Sequence, residues 1–501
     1  MTVKYLNLIA LMCLLVNGGA CSTKQEVVIT IDVREQPEVH TLIYTVPLSG
    51  TSYYFFSDTL KAKGTGKFEL KLELKQPSFI TVSGSQMYVK MLVEPGCKYH
   101  IFMYPKNDVQ ITGDNERGQM LYSTALLDPI YIEWGMAKFF NPGDHVGDTL
   151  SPAFVHHKIS GLKQSDMSKF KDLLDEGEIT KSFFDLVKKD RDCFYAALEA
   201  FYLVNKIYYD RVERGMKIED EVLQTLKKIY EQYPPTDERF LFSPCWPEYA
   251  CLYITKYRPF VQDGFDVEKM KAFEKMREFE TDRTFYTYVI NESKKYLSGK
   301  MLEFFRARYI HDGCFVGRYS LVSIKSKKEL IPLFEQFEKD YPQSEYSKYI
   351  RPYMDEIVSY HQTAERPFDK DISFLEGAET FNTLEDVIQP LRGKKTYITV
   401  WATRGFSYER VLEHNDELKK ILAENDVQQL YICFDFEADD WRINWEYLIK
   451  FYHLTGSHMR ANDSLRYSLH KRLDRTPWYI LVDENGHIIE ESPFPMEKDK
   501  R

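Results

Sequence analysis

Beyond its first two dozen residues the chain alternates apolar and polar positions with period two. "VVITID" (27–32), "KFELKLELK" (67–75) and "YHIFMY" (99–104) place the two kinds of side chain on opposite faces, the mark of half-buried strands. "GTG" (64–66) and "PGC" (95–97) are turns between them. Short strands so spaced predict an all-β sandwich over 27–115. From 116 to 375 the apolar spacing changes to three and four. "SDMSKFKDLLDEGEITKSFFDLVKKD", "DCFYAALEAFYLVNKIYYDRVERG", "DEVLQTLKKIYEQY" and "KKELIPLFEQFEKDYP" predict a central α-helical region, with Gly and Pro as stops. "LFEQFEKDYPQSEYSKYI" is repeat-like but has no second copy, so the region is not a repeat array.

From 376 to 501 strands and helices alternate. "TYITVWA" (396–402) and "QLYICFDF" (429–436) read as buried strands. A helix at 407–424 between them has Val411, Leu412, Leu418, Ile421 and Leu422 on one face. "WRINWEYLIKFYHL" (441–454) and "SLRYSLHKRL" (464–473) read as helices, and "WYILVD" with "HIIEES" as a hairpin around "ENG". The pattern predicts an α/β domain, a mixed sheet with helices on both faces. Three parts also suit a chain of 501 residues, at about 150 residues per domain.

The first twenty residues stand outside this pattern. Lys4 precedes a short apolar run, "LNLIALMCLLV" (6–16), and "GGA" leads to Cys21. This is a secretory signal over 1–20. The small residues before Cys21 resemble a bacterial lipobox, with Gly18 where Leu is usual. The resemblance implies cleavage before Cys21, lipid on its thiol and amino group, and a linker over 21–26. An ordinary signal peptide with an incidental Cys is the alternative. No other segment reaches the ~18 apolar residues of a membrane-spanning helix. The expected location is the cell envelope, lipid-anchored, on the periplasmic face or the outer surface of the outer membrane.

Charge and composition narrow the chemistry. The formal charge of −10 is spread without a basic stripe, which argues against nucleic-acid binding. Tyr (35) and Phe (33) are abundant, so runs such as "CFYAALEAFY" and "EFFRARYI" read as core. His156 and His157 are adjacent and belong to no metal-ligand spacing, and no nucleophile elbow or phosphate loop occurs. Neither a metal nor a cofactor is expected. Cys13 leaves with the signal; Cys97, Cys193, Cys245, Cys251, Cys314 and Cys433 remain beside Cys21. Six cysteines in a chain this long are not a disulfide framework. Cys245 and Cys251 in "PCWPEYAC" either bridge locally or are small buried residues.

Residues 393–492 resemble the membrane-anchored thioredoxin-like proteins of the TlpA and redoxin type. In that family a strand ends in Trp-Ala-Thr and runs into a Cys-x-x-Cys pair. Trp401, Ala402 and Thr403 match; Gly405-Phe406-Ser407-Tyr408 stands where the pair belongs. Gly405 takes the place of the attacking Cys and Tyr408 that of the resolving one. Thr476–Pro477 in "RTPWYILVDENGHII" occupies the place of the family's cis-proline. "SDT" (57–59), "GKFELKLEL" (66–74), "LVEPG" (92–96) and "ITGD" (111–114) resemble the amino-terminal domain of such lipoproteins. The resemblance implies a thioredoxin-like fold over 376–501 that has lost dithiol exchange, which needs an attacking thiolate and a resolving thiol.

No shift restores the motif, because 315–432 contains no Cys. Cys433, inside an apolar strand, reads as buried and inert. The expectation is a binding or scaffold protein rather than an enzyme. Its groove for an extended peptide or envelope partner would be lined by Trp401, Arg404, Gly405, Phe406, Tyr408, Thr476, Pro477 and Trp478. The alternative is thiol–disulfide exchange by a cysteine outside the motif, such as Cys314 in "HDGCFVG", which also reads as a plain turn.

Overall fold

Period-two alternation builds the amino-terminal strands: β1 (Gln25–Val33), β2 (Thr41–Thr45), β3 (Ser57–Lys61), β4 (Lys67–Leu74), β5 (Ser78–Gly84), β6 (Met87–Val93), β7 (Lys98–Tyr104) and β8 (Asp108–Gly113). The computed structural model describes residues 24–495 except 37–38, 49, 52–55, 85–86, 106–107, 125–150, 263–267, 269–270, 272–283, 316–325, 365, 404–410, 412–414, 436–438 and 474. The signal, Cys21, Arg404, Gly405, Phe406, Ser407 and Tyr408 lie outside the described residues.

The strands form two four-stranded sheets, ordered β4-β1-β7-β8 and β3-β2-β5-β6. β1 runs antiparallel to β4 and parallel to β7. Val27, Ile29 and Ile31 of one sheet share a core with Ile80, Val82 and Val89 of the other, which makes the pair a sandwich. β5 and β6 escaped the alternation rule because their second face is covered as well. Phe79 and Leu92 pack on Tyr122, Phe170 and Phe183 from the helices that follow.

Those helices are α1 (Glu116–Thr124), α2 (Pro152–Asp175), α3 (Lys181–Tyr208), α4 (Asp220–Gln232), α5 (Trp246–Leu252), α6 (Thr284–Ser293), α7 (Gly299–Phe315), α8 (Leu330–Asp340) and α9 (Ser347–Ala364). The first quoted run is two helices, not one. α2 ends at Asp175, Gly177 turns the chain at φ +75°, and Thr180 caps α3 by accepting from Phe183 N, as an N-cap hydroxyl does. "DGCFVG" is not a plain turn: α7 continues through Cys314 to Phe315. Gly313 permits this, since a Cβ there would come within 3.0 Å of Leu330 and 3.2 Å of Tyr286.

The C-terminal sheet has six strands: β9 (Ile372–Phe374), β10 (Thr396–Trp401), β11 (Gln428–Cys433), β12 (Gly456–Arg460), β13 (Trp478–Val482) and β14 (Ile488–Ser492). Their order is β14-β13-β10-β11-β12-β9, with β10, β11, β12 and β9 parallel and β13 and β14 antiparallel to their neighbours. α10 (Leu384–Ile388), α11 (Asn415–Glu424), α12 (Asp439–Phe451) and α13 (Asp463–Arg472) accompany it. Every residue of β10 is buried, as befits a central strand covered on both faces.

By packing, this multidomain chain forms two compact units rather than the three parts set by element type. One comprises Met1–Lys275, Val289–Arg308 and Ser344–Tyr349; the other Met276–Tyr288, Tyr309–Gln343 and Ile350–Arg501. The sandwich and the first helices share a unit because the outer face of β5 and β6 is itself core. Among the described residues, no helix is long and apolar enough to cross a membrane.

Candidate functional site

β10 delivers Trp401, Ala402 and Thr403 to the carboxyl end of the sheet, where ligands of α/β proteins bind. β13 lies beside it in a register that pairs Val400 with Trp478. The Thr476–Pro477 bond therefore sits next to the end of β10, and it is cis. Pro477 is buried, while Thr476 and Trp478 are half-buried.

Trp401 corrects one expectation. Its side chain is fully buried and meets Tyr431 edge to face, with ring centroids 6.4 Å apart. A ring with no exposed surface cannot touch a partner, so Trp401 belongs to the core beneath the candidate groove and not to its lining. Tyr431 in turn stacks on His458 at 4.8 Å and donates to Asn415 Oδ1 at 3.1 Å.

A polar cluster sits where the chain leaves β10. Thr403 N donates to Asp435 Oδ2 at 2.7 Å, and the Cys433 thiol donates to the same oxygen at 3.4 Å. Arg466 Nη1 donates to the Asp435 carbonyl at 2.8 Å. Asp435 thus pins Thr403, the last residue of the matched Trp-Ala-Thr. Sequence reading missed Asp435 and Arg466; only the step from the apolar "LYIC" to "FDF" hints at the first.

Three cysteines have surroundings that disfavour the thiolate. Cys433 is fully buried; burial, then the Asp435 charge, push its thiol well above the ordinary range. Cys314 is pushed up to about 12, chiefly by burial. Burial also raises Cys97. The local Cys245–Cys251 bridge is ruled out: six residues of helix separate the two by about 9 Å, beyond the roughly 7 Å limit between bridged Cα atoms. His156 holds Glu199, Nδ1 to Oε1 2.8 Å, rather than its neighbour His157.

No family model matches the chain, and no curated protein matches it. Several solved structures similar to about a fifth of it are described as thiol–disulfide oxidoreductases. A thiol–disulfide oxidoreductase from Bacteroides vulgatus, solved in solution, is 26% identical over 22% of this chain and 68% of its own, with TM-score 0.18. StoA from Bacillus subtilis is 18% identical over 21% of this chain and 78% of its own, TM-score 0.19. A thioredoxin-like protein from Bacteroides caccae spans more, 56% of this chain and 91% of its own, at 15% identity and TM-score 0.18.

One further feature was invisible in the linear charge pattern. Lys24, Lys71, Lys75, Lys300 and Lys348 gather around a groove of about 490 Å³ in the first unit. Glu73 and Glu345 are its acidic members. The lysines come from positions up to 324 residues apart, so only folding makes them neighbours.

Proposed function

We propose that the chain is a lipid-anchored protein of the cell envelope whose C-terminal unit uses a thioredoxin-like arrangement for binding, not for dithiol exchange. The observation that carries this reading is Cys433. It is the cysteine nearest in sequence to the end of β10, and it is fully buried with its thiol held protonated. Exchange begins with a thiolate that can reach a disulfide. Gly405 and Tyr408 supply neither sulfur.

On this reading the binding surface would comprise the half-buried Thr476 and Trp478 and the backbone at Pro477, completed by Arg404, Gly405, Phe406 and Tyr408. An extended peptide would pair with the backbone of the Pro477 loop as an added strand, and the aromatic side chains would select its residues. The partner is an envelope protein or peptide, and lipid on Cys21 holds the body at the membrane, on the periplasmic face or the outer surface.

The test is insulin reduction by the chain without its signal, with a Cys433→Ser variant and a thioredoxin carrying an intact Cys pair as control. The expected rate is that of the buffer blank. Turnover that disappears in Cys433→Ser would overturn the reading and name the cysteine responsible. In a parallel crosslinking capture from envelope extract, Trp478→Ala and Tyr408→Ala are expected to lower the yield of the captured partner several-fold. Equal yields would remove the groove.

A further inference from the structure

The lysine-rich groove lies wholly within the first unit, to which every residue that lines it belongs. It gathers five lysines against two glutamates in a chain whose formal charge is −10. Lys71 has carboxylates beside it, Glu26 at 3.7 Å and Glu69 at 4.0 Å. Lys24, Lys300 and Lys348 are exposed and form no ion pair among the described residues.

Two of these lysines stand where helix stability disfavours them. Lys300 is the second residue of α7 and Lys348 the second of α9, and neither helix has an acidic residue in its first turn. The positive end of a helix dipole favours carboxylates there and repels cations. Two helix starts, each carrying a lysine, therefore add to the positive potential of the groove. They share one anchor. Tyr346, just before α9, is buried. Its hydroxyl lies 3.0 Å from Thr51 Oγ1, and its ring packs on Phe56 at 5.3 Å and on Phe304 of α7 at 5.7 Å.

The position of Lys24 indicates what these cations meet. It is three residues beyond Cys21, and three residues of extended chain span about 10 Å. Lipid on Cys21 would hold this edge of the groove within about one Debye length of the headgroups, which is about 10 Å at 0.1 M salt. We propose that the groove docks on the phosphates of anionic lipid headgroups, so that the first unit lies with this face against the bilayer. Val46 and Pro47 border the cations and suit the glycerol part of a lipid, which a free inorganic anion lacks. The choice of a lipid surface rests on the anchor at Cys21 proposed above and not on the binding role of the C-terminal unit.

The test uses the chain without its signal and with Cys21→Ser, so that no lipid is attached. It is sedimented with vesicles of phosphatidylcholine, alone or with phosphatidylglycerol mixed in. The expected result is several-fold more protein in the pellet with the anionic vesicles. The excess should vanish in molar sodium chloride, where the Debye length is about 3 Å. Lys300→Glu combined with Lys348→Glu should lower the excess several-fold. Each substitution puts a carboxylate in a helix first turn, which favours the fold. Lys24→Glu, at an exposed position before β1, should act in the same direction. Lys227→Glu combined with Lys228→Glu, on α4, changes the net charge as much as the first pair and should keep the excess. So should millimolar glycerol phosphate at matched ionic strength. Equal pelleting with both vesicle types, or equal loss in the two double variants, would overturn the inference. Displacement by glycerol phosphate would also overturn it and give the groove to a soluble phosphate ester. The anchor is read separately, by palmitate labelling of Cys21, so either reading can fail alone.

Discussion

His458 lies flat on Tyr431 and donates Nε2–H to the Leu454 carbonyl at 2.7 Å. Burial pushes it down to about 4, against an ordinary 6.5. The unfolded chain therefore binds a proton between these values that the folded chain refuses. Stability is unaffected above about pH 6.5, falls as pH drops through that window, and the loss is complete below about 4. The gap corresponds to on the order of 3 kcal/mol. Urea unfolding at pH 7 and pH 4.5 should show a loss in the wild type that is smaller in His458→Phe; equal losses would refute the linkage. The sequence showed this residue only as a His in the polar stretch "GSHMR", with nothing to mark its stacking partner. Cys433 was legible, because an apolar strand is a reliable sign of an inward-facing thiol. Trp401 was misread for the opposite reason. Its placement at a surface came from a family motif, whereas the run of β-branched and aromatic residues "TYITVW" already pointed to a strand buried on both faces.

Among the elements, α1 shows how close packing can override helix propensity. A Cβ on Gly118 would meet Ile179 Cγ2 and Phe183 Cε1, both at 2.6 Å, and both neighbours are buried core. Gly118→Ala should therefore destabilise by about 1–3 kcal/mol through overpacking, although Ala is intrinsically the better helix former by about 1 kcal/mol. An unfolding midpoint equal to or above that of the wild type would sink this account. Elements with a clean period were legible: β1, β4 and β7 from alternation, α4 and α8 from helical spacing, and β13 and β14 from the turn between them. β12 and β9 were not. β12 carries mostly polar residues, and β9 has three residues, too few for any period to register. Both gain their strand state from parallel pairing with neighbours distant in sequence, which local pattern cannot reveal.

At the scale of the whole molecule, the change of element type along the chain was readable, but the division by packing was not. Helical spacing announces that an apolar stripe exists without saying which surface covers it; here α1, α2 and α3 cover the back of a sheet. Anchoring also belongs to this scale. Cells grown with labelled palmitate should yield labelled protein in the membrane fraction, and Cys21→Ser should lose the label and move to the soluble fraction. Label retained by Cys21→Ser would exclude that cysteine as the anchor. The tether proposed above would confine copies to two dimensions, where each meets the others far more often than in free solution. Unpaired strand edges are then the hazard, because they template further pairing. Among the described residues the C-terminal sheet ends on one side in the three residues of β9. On the other it ends in β14, where Glu491 is held by Arg472 and Glu490 adds a further carboxylate. One border is too short to extend and the other is closed by an ion pair and a charge, so the sheet can be crowded on a surface without propagating into its neighbours.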